Sequence, residues 1–383
     1  MDLTERIERR RNRRSADRLI VDPDPLNPAV QPTKPVGRET LVEALLDAID
    51  PLFERAVPPN VYAWGPPGSG KSAVVTALVS ALSTELSGNG AVYTATRGAD
   101  NRSGVRVVYL DAQHATSRFR VYRQLLNGLR ADAIPERGVS TDMLRNQIES
   151  VSAESEAILV AVDHLGDPRR IDLGSLYEFF EPFENLAWLG VGQTPPKELS
   201  FQTPEQQVHV PPYTYELVDV LTVRGSRGLS RTPDHAHVQR IAEWADGDAH
   251  DALAALYVAA TNAESNDRTH IRAEDVDVGI GSVPTDGVRI GRVLTLSDNE
   301  QLVLERLLDL SLDGDETIDA AASRISKETD LTSGTIKRLL YELAQVGILE
   351  RRQVPVAGHA DGRQPSMVAP NFAVRLFQHL RST

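Results

Sequence analysis

One octapeptide constrains the fold of this chain more than any other feature. Residues 65–72 read GPPGSGKS and match the phosphate-binding P-loop pattern G-x-x-x-x-G-K-[ST] at each defined position. The short apolar run 61–64 before the motif and the helical run 73–79 after it supply the strand–loop–helix setting that the motif requires. The alternative is a chance match in a Gly/Pro-rich loop. The motif predicts an α/β fold that binds a nucleoside triphosphate through Gly65, Pro66, Pro67, Gly68, Ser69, Gly70, Lys71, Ser72 and Ala73.

The residue types in this loop fit phosphate chemistry. Gly68 and Gly70 let the backbone amides turn inward towards phosphate oxygens, and the following helix N-terminus adds partial positive charge. Lys71 is suited to reach the β- and γ-phosphates, and the Ser72 hydroxyl is suited to bind Mg²⁺. We therefore expect ATP or ADP together with Mg²⁺.

A second candidate metal ligand ends a predicted strand. The apolar run 157–163 finishes at Asp163, and we expect this strand to lie next to the P-loop strand, where the carboxylate would hold Mg²⁺ through water. The alternative is an Asp that caps the following turn. Asp111, at the end of a neighbouring predicted strand, is a candidate substitute base for hydrolysis.

The pattern of strands and helices predicts a parallel sheet covered on both faces. Helical patterns over 38–55, 118–130 and 140–150 separate or flank five apolar runs, at 61–64, 106–111, 157–163, 186–192 and 207–210. From 213 to 280 the pattern is helical throughout. The pattern of the last 95 or so residues predicts three helices followed by a β-hairpin, which is the arrangement of a winged-helix domain. The predicted domains are an Arg- and Pro-rich extended arm at 1–34, a nucleotide-binding core at 35–211, a helical lid at 212–283 and a winged helix at 290–383.

The predicted winged helix carries candidate DNA contacts. Its third helix starts near Thr332 or Ser333, and a recognition helix places its N-terminal residues against the major groove. The wing adds basic side chains suited to phosphate or the minor groove. The alternative is a domain that contacts only protein. The candidate DNA-binding residues are Ser333, Thr335, Lys337, Arg338, Arg351, Arg352 and Arg363, with His359 beside them.

Composition limits the cellular setting. The chain has 383 residues, no cysteine and a formal net charge of −13, with 41 Lys+Arg of which only five are lysine. An acidic, lysine-poor surface is typical of proteins that stay dissolved in very high salt, so we expect a halophilic archaeon; a GC-rich genome is the alternative. There is no membrane-length apolar run and no signal peptide, so we expect a cytoplasmic protein.

Several segments together resemble a known family, the archaeal origin-recognition initiators, which are AAA+ ATPases related to eukaryotic origin-recognition and cell-division-control proteins. The resemblance covers about 340 residues, in the order expected. The matching segments are KPVGRE (34–39), GPPGSGKS (65–72), SRFRV (117–121), GVS (138–140), PYT with the following Glu216, Leu217 and Leu221 (212–214), GDA with the following Ala252 and Leu253 (247–249) and SMVAP (366–370).

The resemblance implies site residues and also shows departures. It implies an AAA+ core with Val36 and Tyr213 beside the nucleotide and Asp163 as the Walker B residue. It places sensor 1 at Gln193, with Thr194 as the alternative. The family's Glu after the Walker B Asp is replaced by His164, and the sensor 2 Arg is replaced by His250. A positioned base and a charged arginine are each worth about 10²-fold or more in rate, so hydrolysis is left open.

The family implies initiation of DNA replication. We expect origin-like repeats of double-stranded DNA as the partner, with a replicative helicase as a further partner, and a monomer or a DNA-templated oligomer. ATP would act mainly as a conformational switch, with slow or absent hydrolysis. The alternatives are an active AAA+ motor with a winged-helix adaptor, a transcriptional or plasmid-specific paralogue, and a signalling NTPase whose C-terminal unit contacts protein.

Overall fold

The computed structural model describes residues 18–86, 104–115, 117–130, 132–166, 171–200, 203–310, 317–353 and 366–382. The chain divides into two compact units. One comprises residues 30–224 and 238–252, and the other comprises the described parts of 1–29, 225–237 and 253–383. The predicted lid at 212–283 is therefore shared between the two units, and its boundaries stay a prediction.

A five-stranded parallel sheet organises the first unit. Its strands are β1 (Val61–Trp64), β2 (Val105–Asp111), β3 (Ala157–Leu165), β4 (Leu186–Gly192) and β5 (Gln206–His209). Their order is β2-β3-β4-β1-β5, and every pairing is parallel. The predicted α/β fold with a parallel sheet is confirmed. The expectation that the strand ending in Asp163 lies next to the P-loop strand was wrong, because β4 lies between them.

Both faces of this sheet are covered, as the continuous apolar strands predicted. Alternate residues of a strand point to opposite faces. Val160 and Val162 pack in one apolar cluster, whereas Leu159 and Ala161 pack in the other. The first cluster is closed by α3 (Arg118–Leu129), α4 (Thr141–Glu154) and α5 (Leu173–Phe180), and the second by α1 (Glu39–Ala48) and α2 (Lys71–Leu86).

The helix predicted over 38–55 is broken. It ends at Ala48, and a short 3₁₀ helix, Asp50–Glu54, follows it. Pro51 explains the break, since proline lacks the backbone N–H that would continue the α-helix. The helix predicted from 213 likewise starts later, as α6 (Glu216–Gly228), after the consecutive prolines at 211 and 212.

Three further helices lie in the region 213–280 that was predicted to be helical, and a fourth, which was not predicted, follows it. They are α7 (His235–Ala245), α8 (Ala249–Ser265), α9 (Ala273–Gly281) and the unpredicted α10 (Ile290–Leu294). Within the described residues, no helix has the length and apolar character needed to cross a membrane.

The C-terminal elements form a winged helix. Three helices are followed by an antiparallel hairpin in which Leu349 pairs with Pro370 and Gln353 with Ser366. A further helix that the sequence pattern did not predict closes the domain. These elements are α11 (Asp298–Leu310), α12 (Ile318–Glu328), α13 (Ser333–Gln345), β6 (Leu349–Gln353), β7 (Ser366–Pro370) and α14 (Val374–Ser382).

The N-terminal segment differs from the predicted extended arm. Leu19, Ile20 and Leu26 are buried, and Ile20 forms an isolated antiparallel bridge with Leu229. The backbone amide of Val21 donates to the Gly228 carbonyl at 2.9 Å. Residues 18–29 are thus a packed strap within the second unit. The arginine-rich residues 1–17 lie outside the described chain.

Candidate functional site

The P-loop occupies the position that its motif predicts, between β1 and α2. Gly68 and Gly70 adopt φ values of +68° and +82°, which is backbone that L side chains rarely adopt. A Cβ atom on Gly70 would overlap the hydroxyl of Tyr213, and one on Gly68 would overlap the carboxylate of Asp248. The loop therefore needs glycine at both places for its backbone conformation and for its close neighbours.

Lys71 is buried at the first position of α2. Its Nζ donates to the carbonyl oxygens of Gly65 at 2.8 Å and Pro66 at 2.6 Å, and to Ser69 Oγ at 3.1 Å. The helix N-terminus and this ammonium together concentrate positive charge at the loop. Such an arrangement suits the phosphates of a nucleotide.

Arg38 supports the P-loop in a way that the sequence did not reveal. It is 7% exposed, and its Nε donates to the carbonyl of Ser69 while Nη2 donates to the carbonyl of Pro211, both at 2.9 Å. Its guanidinium lies 3.5 Å from the centre of the Tyr213 ring. Burial raises the pKa of Tyr213, and the Arg38 cation offsets part of that rise. Arg38 thus joins the P-loop to the start of the predicted lid.

The two residues that the family resemblance placed beside the nucleotide lie in this cluster. Val36 precedes Gly37, whose φ is +68° and whose Cα packs so closely on Glu216 that a Cβ would lie 2.6 Å from the Glu216 Cβ. Tyr213 is 5% exposed and abuts Gly70. The structure therefore brings the segment of Val36, the P-loop and Tyr213 together.

The N-terminus of α8 also reaches the P-loop. The amide of Ala249 donates to the Gly68 carbonyl at 3.0 Å, and the Asp248 carboxylate accepts from the Asp251 amide at 3.0 Å as the helix cap. His250 lies in this first turn, with Nδ1 3.1 Å from Asp251 Oδ1. The structure thus places His250 close to the P-loop and ties its ring to a carboxylate. The sequence analysis placed Asp248 in the GDA segment but did not predict its contact with the P-loop; its position before a predicted helix is a cap signal.

Asp163 is a buried carboxylate at the carboxyl end of β3. Its side chain is 1% exposed, and it accepts from the hydroxyl of Tyr109 at 3.0 Å and from the amide of His164 at 2.8 Å. Burial and the charges of Asp163 and Asp111 raise the pKa of Tyr109 far above its usual range, so its hydroxyl stays protonated and donates.

His164 adopts φ +60° and turns its ring towards the neighbouring strand. Its Nδ1 lies 2.9 Å from Oδ1 of Asp111, which is in register with Asp163 across the β2–β3 pair. Burial alone would raise the pKa of Asp111, but the hydrogen bond and charge of His164 outweigh it and hold this pKa below its usual range. Position 164 therefore presents an imidazole already bound to a carboxylate.

Gln193 directly follows β4, whose last residue, Gly192, pairs with Trp64 of the P-loop strand. The Gln193 side chain is exposed, and the next carbonyl, of Thr194, accepts from the Tyr62 hydroxyl at 2.9 Å. Gln193 thus stands at the carboxyl edge of the sheet, as a sensor 1 residue would.

The donor set fits Mg²⁺ bound with a nucleotide. Ser72 supplies a hydroxyl at the second position of α2, and Asp163 supplies a carboxylate at the same edge of the sheet. Oxygen ligands of this kind, completed by phosphate oxygens and water, are what Mg²⁺ prefers.

The candidate DNA face lies on the winged helix. Thr332 caps α13 by accepting from the Thr335 amide at 3.2 Å, and Ser333 lies at the first position of the helix. Lys337 pairs with Asp319, Arg338 pairs with Glu342, and Arg352 pairs with Glu350. Arg351 donates to Ser366 Oγ. Arg363 and His359 lie outside the described residues.

Comparison with known proteins places these features in a family. Residues 34–185 match the family model described as AAA ATPase domain. "ORC1-type DNA replication protein 3" of Haloarcula marismortui is 24% identical over 351 residues, covering 85% of this chain and 87% of the relative. The chain is a homologue of the ORC1-type DNA replication proteins.

Solved structures share the fold of this ORC1-type homologue. The Aeropyrum pernix ORC1 protein in complex with DNA superposes with a TM-score of 0.62 at 20% identity, over 95% of this chain and 97% of that one. The Aeropyrum pernix ORC2 protein in its ADPNP–ADP complexes gives a TM-score of 0.54 at 20% identity, over 95% and 98%. The AAA+ core and the winged helix are therefore shared architecture.

Proposed function

We propose that this protein binds ATP and double-stranded DNA and acts in the initiation of DNA replication, with the nucleotide serving as a conformational switch. The observation that carries the proposal is the presence, in one ORC1-type homologue, of a complete P-loop cradle and a winged helix with polar side chains at the start of its third helix. The proposal extends to origin-like repeats as the DNA target and to loading of a replicative helicase.

Binding of ATP is supported by the P-loop geometry. Gly68 and Gly70 adopt the left-handed backbone that a phosphate cradle uses, and Lys71 is held at its base. The ORC2 relative is described with ADPNP and ADP. Mg²⁺ is assigned to Ser72 and Asp163, and the adenine side of the site to Val36 and Tyr213.

Slow hydrolysis is supported by the side chains at two catalytic positions. In place of the family's carboxylate, position 164 holds an imidazole, which lacks the fixed negative charge that polarises the attacking water; Asp111 contacts its Nδ1. His250, in place of an arginine, is engaged by Asp251. An imidazole bound to a carboxylate stabilises the transferring phosphoryl group less than a permanent guanidinium does.

Binding of DNA is supported by the winged helix. The N-terminal turn of α13 offers Ser333 and Thr335, and the adjoining basic residues Lys337 and Arg338 lie one turn further along. Hydroxyl and guanidinium groups at the start of a recognition helix suit base edges and phosphates. The ORC1 relative is described in complex with DNA.

The test is DNA binding measured with and without nucleotide at high KCl. Fluorescence anisotropy with an AT-rich inverted-repeat duplex should show binding that differs between ATP and no nucleotide, whereas Lys71→Ala should bind DNA without that response. A scrambled duplex is the control. No binding to any duplex would refute the DNA role, and rapid DNA-stimulated hydrolysis would favour a motor.

A further inference from the structure

The basic side chains of the candidate DNA face are paired with carboxylates of their own domain. Arg338 Nη1 lies 2.7 Å from Glu342, and Arg352 Nη2 lies 2.7 Å from Glu350. Lys337 forms a close ion pair with Asp319. In each pair both side chains are at least partly exposed, from 32% for Glu342 to 74% for Asp319. These three contacts are called the self-paired set below.

Arg351 is different. Its Nε and Nη2 donate to Ser366 Oγ at 2.9 and 2.7 Å, and its guanidinium lies 5.4 Å from the centre of the Tyr341 ring. Its partners within the described residues are neutral. Among the described residues, Arg351 therefore has no carboxylate partner, unlike Lys337, Arg338 and Arg352.

The ion pairs of the self-paired set change the net number of cations that DNA binding releases to the solvent. A basic residue that neutralises a phosphate normally releases about 0.9 cation from the DNA, which makes binding weaken steeply with salt. Before a basic side chain of the self-paired set can contact a phosphate, its ion pair with the carboxylate must break. The freed carboxylate then draws a cation from solution, which offsets the cation that the DNA released.

Exposed ion pairs also open at little cost. Solvent-exposed pairs contribute little to stability and are screened by salt, so a phosphate can take the place of the carboxylate. High salt weakens both the internal ion pair, which competes with DNA, and the contact with phosphate. Because these two effects oppose each other, the affinity for DNA changes little with salt concentration.

We propose that the self-paired set acts as a built-in counter-ion layer, so that DNA binding by this winged helix depends only weakly on salt, with Arg351 as the main salt-dependent contact among the described residues. The proposal rests on the proposed DNA-binding function and says how that interface works. The net charge of −13 agrees with a chain in which carboxylates outnumber basic side chains.

The experiment measures the slope of log K against log [KCl] for one duplex. The test variant, Glu342→Gln with Glu350→Gln, frees Arg338 and Arg352 from their partners. Its slope should become more negative than that of the wild type by about 1.8, which is 2 × 0.9. Over a fourfold rise in KCl this is a loss of affinity about 12-fold larger than in the wild type.

A matched control removes two carboxylates that pair with arginines outside the face. Glu305 lies 2.6 Å from Arg381, and Asp309 lies 3.4 Å from Arg306. The variant Glu305→Gln with Asp309→Asn changes the net charge equally and should leave the slope unchanged. Thermal unfolding of both variants checks that the domain stays folded.

A second variant tests the role of Arg351. Arg351→Gln should make the slope shallower by about 0.9. The proposal is overturned if the wild type already has a steep slope that the Glu342/Glu350 variant does not change, or if the control shifts the slope equally. Absence of DNA binding by the wild type at every salt concentration would overturn the proposed function as well.

Discussion

Replacement of Arg38 tests whether the P-loop depends on a support outside its own motif. Arg38 contacts the P-loop at Ser69, the start of the predicted lid at Pro211 and the ring of Tyr213. Arg38→Ala removes all three contacts at once. It should lower the stability of the first unit and weaken ATP binding.

The size of the effect follows from these contacts. A hydrogen bond from a charged donor contributes about 1.5–3 kcal/mol and a cation–π contact about 0.5–2 kcal/mol. Water can reach the released carbonyls, and the cost of burying the guanidinium disappears, so the net loss falls below that sum, at about 2–4 kcal/mol. If about 1.4–2.8 kcal/mol of this is felt by the bound nucleotide, the Kd for ATP rises by about 10- to 100-fold.

The assay pairs urea unfolding with equilibrium ATP binding at high KCl. Arg106 offers a matched control, because its Nη1 donates to the Leu129 carbonyl at 2.8 Å in the β2–α3 region, away from the P-loop. Arg106→Ala should lose about 1–2 kcal/mol of stability and keep its affinity for ATP. A folded Arg38→Ala protein with unchanged ATP affinity would refute the reasoning, as would an equal loss of affinity in Arg106→Ala.

The remaining predictions concern the P-loop and the Asp111–His164 pair. Gly70→Ala should abolish ATP binding, because the added Cβ overlaps the Tyr213 hydroxyl at φ +82°, whereas Gly138→Ala, at the same φ with open space around it, should lose only about 1–2 kcal/mol of stability. The double variant Asp111→Asn with His164→Glu should raise the hydrolysis rate by about 10²-fold or more in a phosphate-release assay; His164→Glu alone should gain less, because it sets a second carboxylate beside Asp111. Folding lowers the pKa of Asp111, so the ionised Asp111 carboxylate stabilises the folded state at neutral pH. This contribution to the free energy of unfolding is lost as the pH falls through the lowered pKa. Urea unfolding between about pH 6 and pH 3 should therefore show a smaller loss of stability on acidification for His164→Gln than for the wild type.

Local patterns predicted the P-loop and the sheet well. The octapeptide has a fixed spacing, and the apolar strands are continuous runs. Each of these patterns is therefore complete within a short stretch of sequence. The sequence predicted Thr332 or Ser333 as the N-cap of α13, and the structure has Thr332; this signal is local because an N-cap acts within one turn.

The errors arise where tertiary contacts decide. The position of β4 between β1 and β3 follows from how the chain crosses the sheet, which no local pattern encodes. The proline-rich pattern predicted an extended arm at 1–34, but Leu19 and Leu26 are buried in the second unit, where Leu26 packs on Gly228, much further along the chain. The helix α14 is short, so its apolar pattern is too brief to predict a helix. Its Leu376 and Phe377 are buried in the structure.

The site shows the same division. Residues of the P-loop motif were identified by number, whereas Arg38 and Asp248 reach the loop from distant parts of the sequence. The pairing of His164 with Asp111 across two strands could not be read from either residue alone. The family resemblance predicts that His164 and His250 replace catalytic groups, and the structure shows that each imidazole contacts a carboxylate.

A single-turnover assay tests the central claim most directly. Purified wild-type protein at high KCl, loaded with radiolabelled ATP and Mg²⁺ and compared with Lys71→Ala, reports binding and hydrolysis in one experiment. We expect the wild type to retain ATP with little conversion to ADP and Lys71→Ala to bind none. Conversion of the bound ATP with a rate constant of several per minute, abolished by Lys71→Ala, would contradict the switch and identify a motor.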